Sequence, residues 1–206
     1  MGGVGRDPPR PARAALMVVF DANMLLLLLS PNVAAPKDDS GKPTEYVQQR
    51  LEALLKQLET GQIKILVPTP ALSEVLVRAG GAAPAYLARI SGSSAFKIVP
   101  FDARAAVEVA IMSRRAIDNG NKRTDIDGTW AKLKYDRQIV AIARVEGASA
   151  VYTDDRHVRN LAKDAGLSVV GIADVPLPPE SRQTSLKFTG PEKPSEAPRE
   201  GPAQPI

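Results

Sequence analysis

The chain has 206 residues, 44% of them hydrophobic, with Lys+Arg 27 against Asp+Glu 23, one His and no Cys. That length fits one domain with a substantial core. The missing Cys excludes a disulfide scaffold, thiolate metal sites and a catalytic thiol, and the single His excludes a His-rich metal centre. Metal chemistry here must therefore use oxygen ligands, which favours Mg²⁺ or Mn²⁺. The net charge of +4 leaves any nucleic-acid contact to a local patch.

The longest apolar run, residues 24–29, is too short to span a bilayer. The N-terminus has no proper apolar stretch followed by a small-residue cleavage site. The expectation is a cytoplasmic protein with no membrane partner. Prolines gather at the ends, in residues 1–16 and 176–206, so both ends read as disordered. They flank a single domain over residues 17–175.

Residues 17–20 read as a short buried strand and residues 24–29 as a helix following it. Residues 31–43 are polar, with Pro, Asp and Gly, and read as a loop. Thr44 is placed to cap a helix reaching Thr60, with Val47, Leu51, Leu54, Leu55 and Leu58 as its apolar stripe. Residues 64–67 form a second strand. Thr69-Pro70 then has the cap-plus-first-turn-proline form of a helix start, for a helix to about Ala79. Residues 84–90 are a short helix and 96–99 a third strand. Asp102 caps a helix to about Asn119, followed by a polar stretch over 120–128. The chain closes with a helix over 134–146, a strand over 150–152, a helix over 156–165 and a strand over 169–172. Short apolar strands alternating with helices predict an α/β sandwich on a parallel sheet of about five strands.

In open α/β sheets, sites gather beyond the carboxyl ends of the strands. Asp21 follows the first strand. Glu74 lies one helical turn beyond the second. Thr153, Asp154 and Asp155 follow the fourth. Asp136 shares a helix face with Ile139, Val140 and Ala143, where an acid is out of place unless something binds it. Each acid has a plain structural reading as well. Asp21, Asp154 and Asp155 suit helix caps, and Glu74 and Asp136 suit the first turn of a helix. Together they pose a charge problem. Two carboxylates about 5 Å apart repel by roughly 3 kcal/mol at an effective dielectric of 20. Such a cluster either takes up protons or holds a divalent cation. Carboxylate-bound Mg²⁺ or Mn²⁺ can activate water against a phosphodiester without His or Cys.

At these residues the sequence resembles the PIN-domain family of metal-dependent ribonucleases. The matching pieces are VVFDANMLL, LSEVL after a strand and Thr-Pro, KYDRQIVAIA and VYTDDRHV, in order across about residues 17–175. The resemblance implies a PIN-like three-layer α/β/α sandwich with the first strand central. It implies endonucleolytic hydrolysis of RNA, leaving a 5′-phosphate. It makes Asp21, Glu74, Asp136 and Asp155 the catalytic, metal-holding acids. Family members often carry Asn where this chain has Asp154, so Asp154 competes with Asp155 as fourth ligand. Thr153 would orient a carboxylate, and Asn23 sits within reach of Asp21. Many bacterial members are VapC-type toxins silenced by a small antitoxin, and members commonly pair into dimers. The added loops at 31–43 and 120–128 and the Pro-rich tail depart from the compact toxins.

Lys122, Arg123, Lys132, Lys134 and Arg137 border Asp136 and offer a place for RNA phosphates. The alternative is an ordinary solvated loop offset by Asp118, Asp125 and Asp127. Trp130 reads as a packing anchor before a base-stacking residue. Tyr135 could stack on a base, and His157 reads as a surface residue. Two rival functions remain at this stage. A catalytically inactive PIN-like module would bind RNA or protein through the same surface. A phosphotransfer enzyme of the haloacid-dehalogenase type would need a second Asp two residues after Asp21, where this chain has Asn23.

Overall fold

Val18, Val19 and Phe20 are apolar in succession, as a strand covered on both faces requires, and all three are buried in β1 (Met17–Phe20). The computed structural model describes residues 16–30, 33–38, 40–118 and 130–178, with the side chains of 130–133 excepted. Four more strands join β1: β2 (Lys64–Pro68), β3 (Phe96–Val99), β4 (Ala150–Tyr152) and β5 (Ser168–Val170). They form one parallel sheet in the order β3-β2-β1-β4-β5. Val18 pairs with Ile65 on one side and Ala150 on the other. The first strand is therefore central, as the resemblance implied.

The helices that flank the sheet are α1 (Ala22–Leu29), α2 (Val47–Thr60), α3 (Thr69–Ala79), α4 (Ala83–Gly92), α5 (Ala103–Asp118), α6 (Trp130–Val145) and α7 (Arg156–Asp164). The core is aliphatic. Leu25, Leu66, Val67, Val75, Val140 and Val151 have no exposed surface, and each side chain so buried contributes about 1.5–3 kcal/mol before entropy is counted. None of the helices in the described residues is long and apolar enough to cross a membrane.

This strand order fixes where a site belongs. The chain builds outward from β1 through β2 to β3, then returns to the other side of β1 for β4 and β5. The winding reverses between β1 and β4, and the crevice beyond their carboxyl ends is the natural binding place. Asp21 and Thr153 are the residues that immediately follow those two strands.

Local chemistry moved some boundaries. Thr44 does not cap α2. Tyr46 takes that position in a left-handed conformation, φ 57°, without a side-chain cap. Thr44 is instead buried, its N–H donating to the Pro36 carbonyl at 2.7 Å as it closes the preceding loop. Thr69 is the first residue of α3 rather than its cap, and its hydroxyl accepts from Phe101 N at 3.1 Å, tying α3 to the segment after β3. Asp102 does cap α5, accepting from Ala105 N at 2.9 Å. The helix α6 starts at Trp130, a turn before the sequence placed it. The last strand ends at Val170, and Ile172–Asp174 turns into a short 3-10 helix.

The loop before α2 is braced internally. Lys37 and Pro43 form an antiparallel bridge. Between them the Asp38 carboxylate accepts from Ser40 N at 2.9 Å, Ser40 Oγ at 2.7 Å and Lys42 N at 3.0 Å. Gly41 takes φ +80°, which a side chain would resist. The Thr44 hydroxyl has no hydrogen-bond partner among the described residues although it is buried. A buried hydroxyl without a partner costs about 1–3 kcal/mol. Thr44→Val, which keeps the shape and removes that group, is expected to stabilise the protein by about 1 kcal/mol in urea unfolding. An unchanged or lower midpoint would show that the hydroxyl is satisfied.

Candidate active site

Asp21 leaves β1 and opens α1. Its Oδ1 accepts from Met24 N at 2.8 Å, capping the helix. Its Oδ2 accepts from the Thr153 hydroxyl across the switch point. That hydroxyl in turn accepts from Asp155 N at 3.0 Å. One threonine oxygen thus links the ends of β1 and β4 in a continuous chain of hydrogen bonds. Asp155 caps α7, its Oδ1 accepting from His157 N at 2.8 Å and Val158 N at 3.3 Å. The cap readings of Asp21 and Asp155 are therefore correct.

Burial sets the charge of this group. Asp21 is 2% exposed and Thr153 is fully buried. Desolvation pushes the Asp21 carboxyl from its ordinary 3.8 up to about 7. The hydrogen bonds from Met24 and Thr153 oppose that rise, and the nearby charges of Asp154 and Asp155 add to it. Burial also raises the Asp154 carboxyl, against the hydrogen bond from Ile172.

The two candidates for the fourth acid differ in what holds them. Asp154 Oδ1 accepts from Ile172 N at 2.9 Å, so it fastens the segment after β5 to the end of β4. Gly171 makes this approach feasible: a Cβ there would lie 2.8 Å from Asp154 Oδ1 and 2.4 Å from Arg159 Nη2. Asp155 sits on the Thr153–Asp21 chain.

The other acids are placed less uniformly. Asp136, on α6, is 6% exposed, and α6 packs on α3, β2 and β4. Among the described residues four polar or charged ones are buried, and Asp21, Asp136 and Thr153 are three of them. Glu74, on α3, is half-exposed and pairs with Arg78 Nη2 at 2.7 Å. The four-residue spacing that makes this pair was visible in the sequence, but Arg78 was not singled out there. Asn23 makes no hydrogen bond to Asp21 and instead lines a cleft with Leu26 and Leu27. No three acids lie together as a cation-holding group among the described residues.

The donor set still suits a hard divalent cation in kind, since it consists of carboxylates and a hydroxyl. Asp21 is a buried carboxylate whose neighbours are also acidic, a charge that a cation would neutralise.

Lys122 and Arg123 lie outside the described residues, as do the side chains of Trp130 and Lys132. Lys134 and Tyr135 are exposed. Arg137 is partly desolvated, which lowers its pKa. It lines a small cleft of about 170 Å³ with Arg115, Arg144 and Asp164. His157 is half-buried at the start of α7.

Comparison with known proteins bears on the whole of this arrangement. The PIN domain family model matches residues 45–164, more than half of the chain. Its matched span begins after β1, so Asp21 enters through the sheet pairing rather than through that match. A VapBC2 structure from Rickettsia felis, bound to a DNA fragment from its promoter, aligns with TM-score 0.50 and 12% identity over 76% of this chain and 98% of that one. DNA-bound VapBC from Salmonella typhimurium gives 0.49 and 15% over 76% and 98%. At such identities the likeness is one of fold. No curated protein sequence matches.

Asp21 generates a pH test. Its carboxyl is near 7 in the folded protein and near 3.8 in the unfolded chain. The folded state therefore holds the proton more tightly, and stability falls as pH rises from about 4 through about 7. The loss is on the order of 4 kcal/mol. Asp21→Asn removes it. In metal-free buffer this variant should melt above wild type at pH 8, with the difference closing by pH 4. A difference that does not change with pH would contradict the burial account.

Proposed function

The chain belongs to the PIN domain family, and from that premise we propose that it is a divalent-metal-dependent endoribonuclease working at the crevice between β1 and β4. The observation that carries this reading is the buried Asp21 carboxylate joined through Thr153 to Asp155. Asp21 and Asp155, with Glu74 and Asp136, would hold Mg²⁺ or Mn²⁺, which supplies Lewis acidity and an activated water when bound. Thr153 fixes the Asp21 carboxylate by donating to Oδ2 and fixes Asp155 by accepting from its N–H. Asp154 serves as a positioning residue that anchors Ile172 and keeps the β4–α7 corner in place. The reaction adds water to an RNA phosphorus and breaks its bond to the 3′-oxygen, leaving a 5′-phosphate and a 3′-hydroxyl.

Residues 17–175 act in this reading as one nuclease domain, with RNA in the cytoplasm as substrate. The Rickettsia felis neighbour is a VapBC2 assembly. By analogy we assign this chain a toxin role with a small antitoxin partner. Exposed Val77, Val107 and Ile111 offer apolar surface for that partner or for a second copy of the chain.

A second reading is favoured by the Glu74–Arg78 ion pair, which leaves the acid set open: a non-catalytic module that binds RNA. Cleavage separates the two. In Mn²⁺ with mixed tRNA and rRNA, wild type should cut, and Asp21→Asn should lose roughly a hundredfold or more. Thr153→Val, which acts only through Asp21 and Asp155, should lose about 10–100-fold. RNA binding without cleavage by metal-loaded wild type would establish the binding module instead.

A further inference from the structure

Two clefts adjoin the site, and they share two residues. One, of about 730 Å³, is lined by Asn23, Leu26, Leu27, Pro36 and Tyr86. The other, of about 610 Å³, is lined by Arg156, Arg159, Asn160 and Asp174. Lys37 and Asp154 line both. The clefts therefore meet at Asp154, the residue next to Thr153 in the crevice, beneath the braced loop that carries Lys37.

The two halves differ in chemistry. The first is mainly aliphatic with one aromatic ring, Tyr86, half-buried on α4, and Arg78, paired with Glu74, also lines it. The second carries cations. Lys37 and Arg156 are exposed and have no ion pair among the described residues. Arg159 is held near Asp174 at 3.7 Å. Each acid in this half accepts at least one hydrogen bond, and Asp154 Oδ2 has no hydrogen-bond partner among the described residues. Asp38 accepts from its own loop, Asp174 Oδ2 from Gly171 N at 2.8 Å, and Asp154 Oδ1 from Ile172 N. The cations free to take a new partner are thus Lys37 and Arg156. The Lys37–Pro43 bridge and the Asp38 hydrogen bonds hold the Lys37 backbone in place.

We propose that these clefts form one trough for single-stranded RNA, with Lys37 and Arg156 taking backbone phosphates and the Tyr86 half taking an unstacked base. A base reaches an apolar cleft only when it is out of a helix, so the trough selects single strands over duplex. Phosphate contacts set register, and stacking on an aromatic ring tolerates any base. The proposal rests on the endoribonuclease reading for its purpose, yet binding is measured apart from cleavage.

The test uses the full chain carrying Asp21→Asn and a fluorescent single-stranded oligoribonucleotide, with wild-type cleavage measured alongside. Adding Lys37→Ala and Arg156→Ala should weaken binding about tenfold and reduce the slope of log affinity against log salt by about 1.4, two phosphates at roughly 0.7 each. Tyr86→Ala should weaken binding about 5–100-fold and Tyr86→Phe should preserve it. Lys56→Ala with Arg89→Ala, both exposed elsewhere, should change neither affinity nor slope by a comparable amount. Melting temperatures close to the parent's show that the variants fold. Unchanged affinity and slope in the Lys37/Arg156 variant overturn the trough, as does equal affinity for a duplex of the same sequence. If wild type cuts RNA while the trough variants bind normally, the trough fails and the nuclease reading stands. If the trough variants behave as expected while wild type does not cut, the nuclease reading fails and the trough stands.

Discussion

A carboxylate kept from water at the end of a central strand is costly unless donors surround it, and the surroundings of Asp21 answer that cost. Met24 N–H and the Thr153 hydroxyl both donate to it. The first bond starts α1, and the second couples β1 to β4 at the point where the winding of the sheet reverses. These donors do not cancel the desolvation, since the carboxyl stays near 7. Two further acids nearby raise it again. A protein selected for stability alone would place an amide or an aliphatic residue there.

The architecture was legible because each strand is a short apolar run bounded by turn residues, and because acids follow strands at matched places. Asp21 and Asp155 were readable twice over, as caps and as site residues, and the structure bears out the caps, in which one carboxylate oxygen accepts from backbone N–H groups. Thr44 was misread because a Thr before an amphipathic stripe has the pattern of a cap. Loop closure through Pro36 and the left-handed Tyr46 moved the helix start instead. Thr69 was misread for a related reason. Its hydroxyl serves Phe101, which is 32 residues away and joined only by the fold. The pairing of Glu74 with Arg78 follows from helix spacing and was available in the sequence. The meeting of Lys37 with Arg156 was not, because it depends on how the loop over residues 33–44 lies against α7.

The family match and the sheet also divide the work. The match covers α2 through α7 and leaves out β1. The pairing of β1 with both β2 and β4 restores it to the centre, and so brings Asp21 to the same edge as Thr153. The segment after β1 leads on to the loop that carries Lys37. Its braced loop adds a wall beside the crevice. In the proposed trough, that loop would join a mainly apolar cleft to one with Lys37, Arg156 and Arg159, the two meeting at Asp154.

The central claim is that the buried charge of Asp21 exists to meet a divalent cation. Thermal melting at pH 7.5 with increasing Mn²⁺ addresses it directly, because a ligand that binds only the folded state raises its stability with concentration. Wild type should melt progressively higher as Mn²⁺ is added, while Asp21→Asn, more stable at the outset, should gain little. Equal gains in both proteins, or none in wild type, would contradict the account.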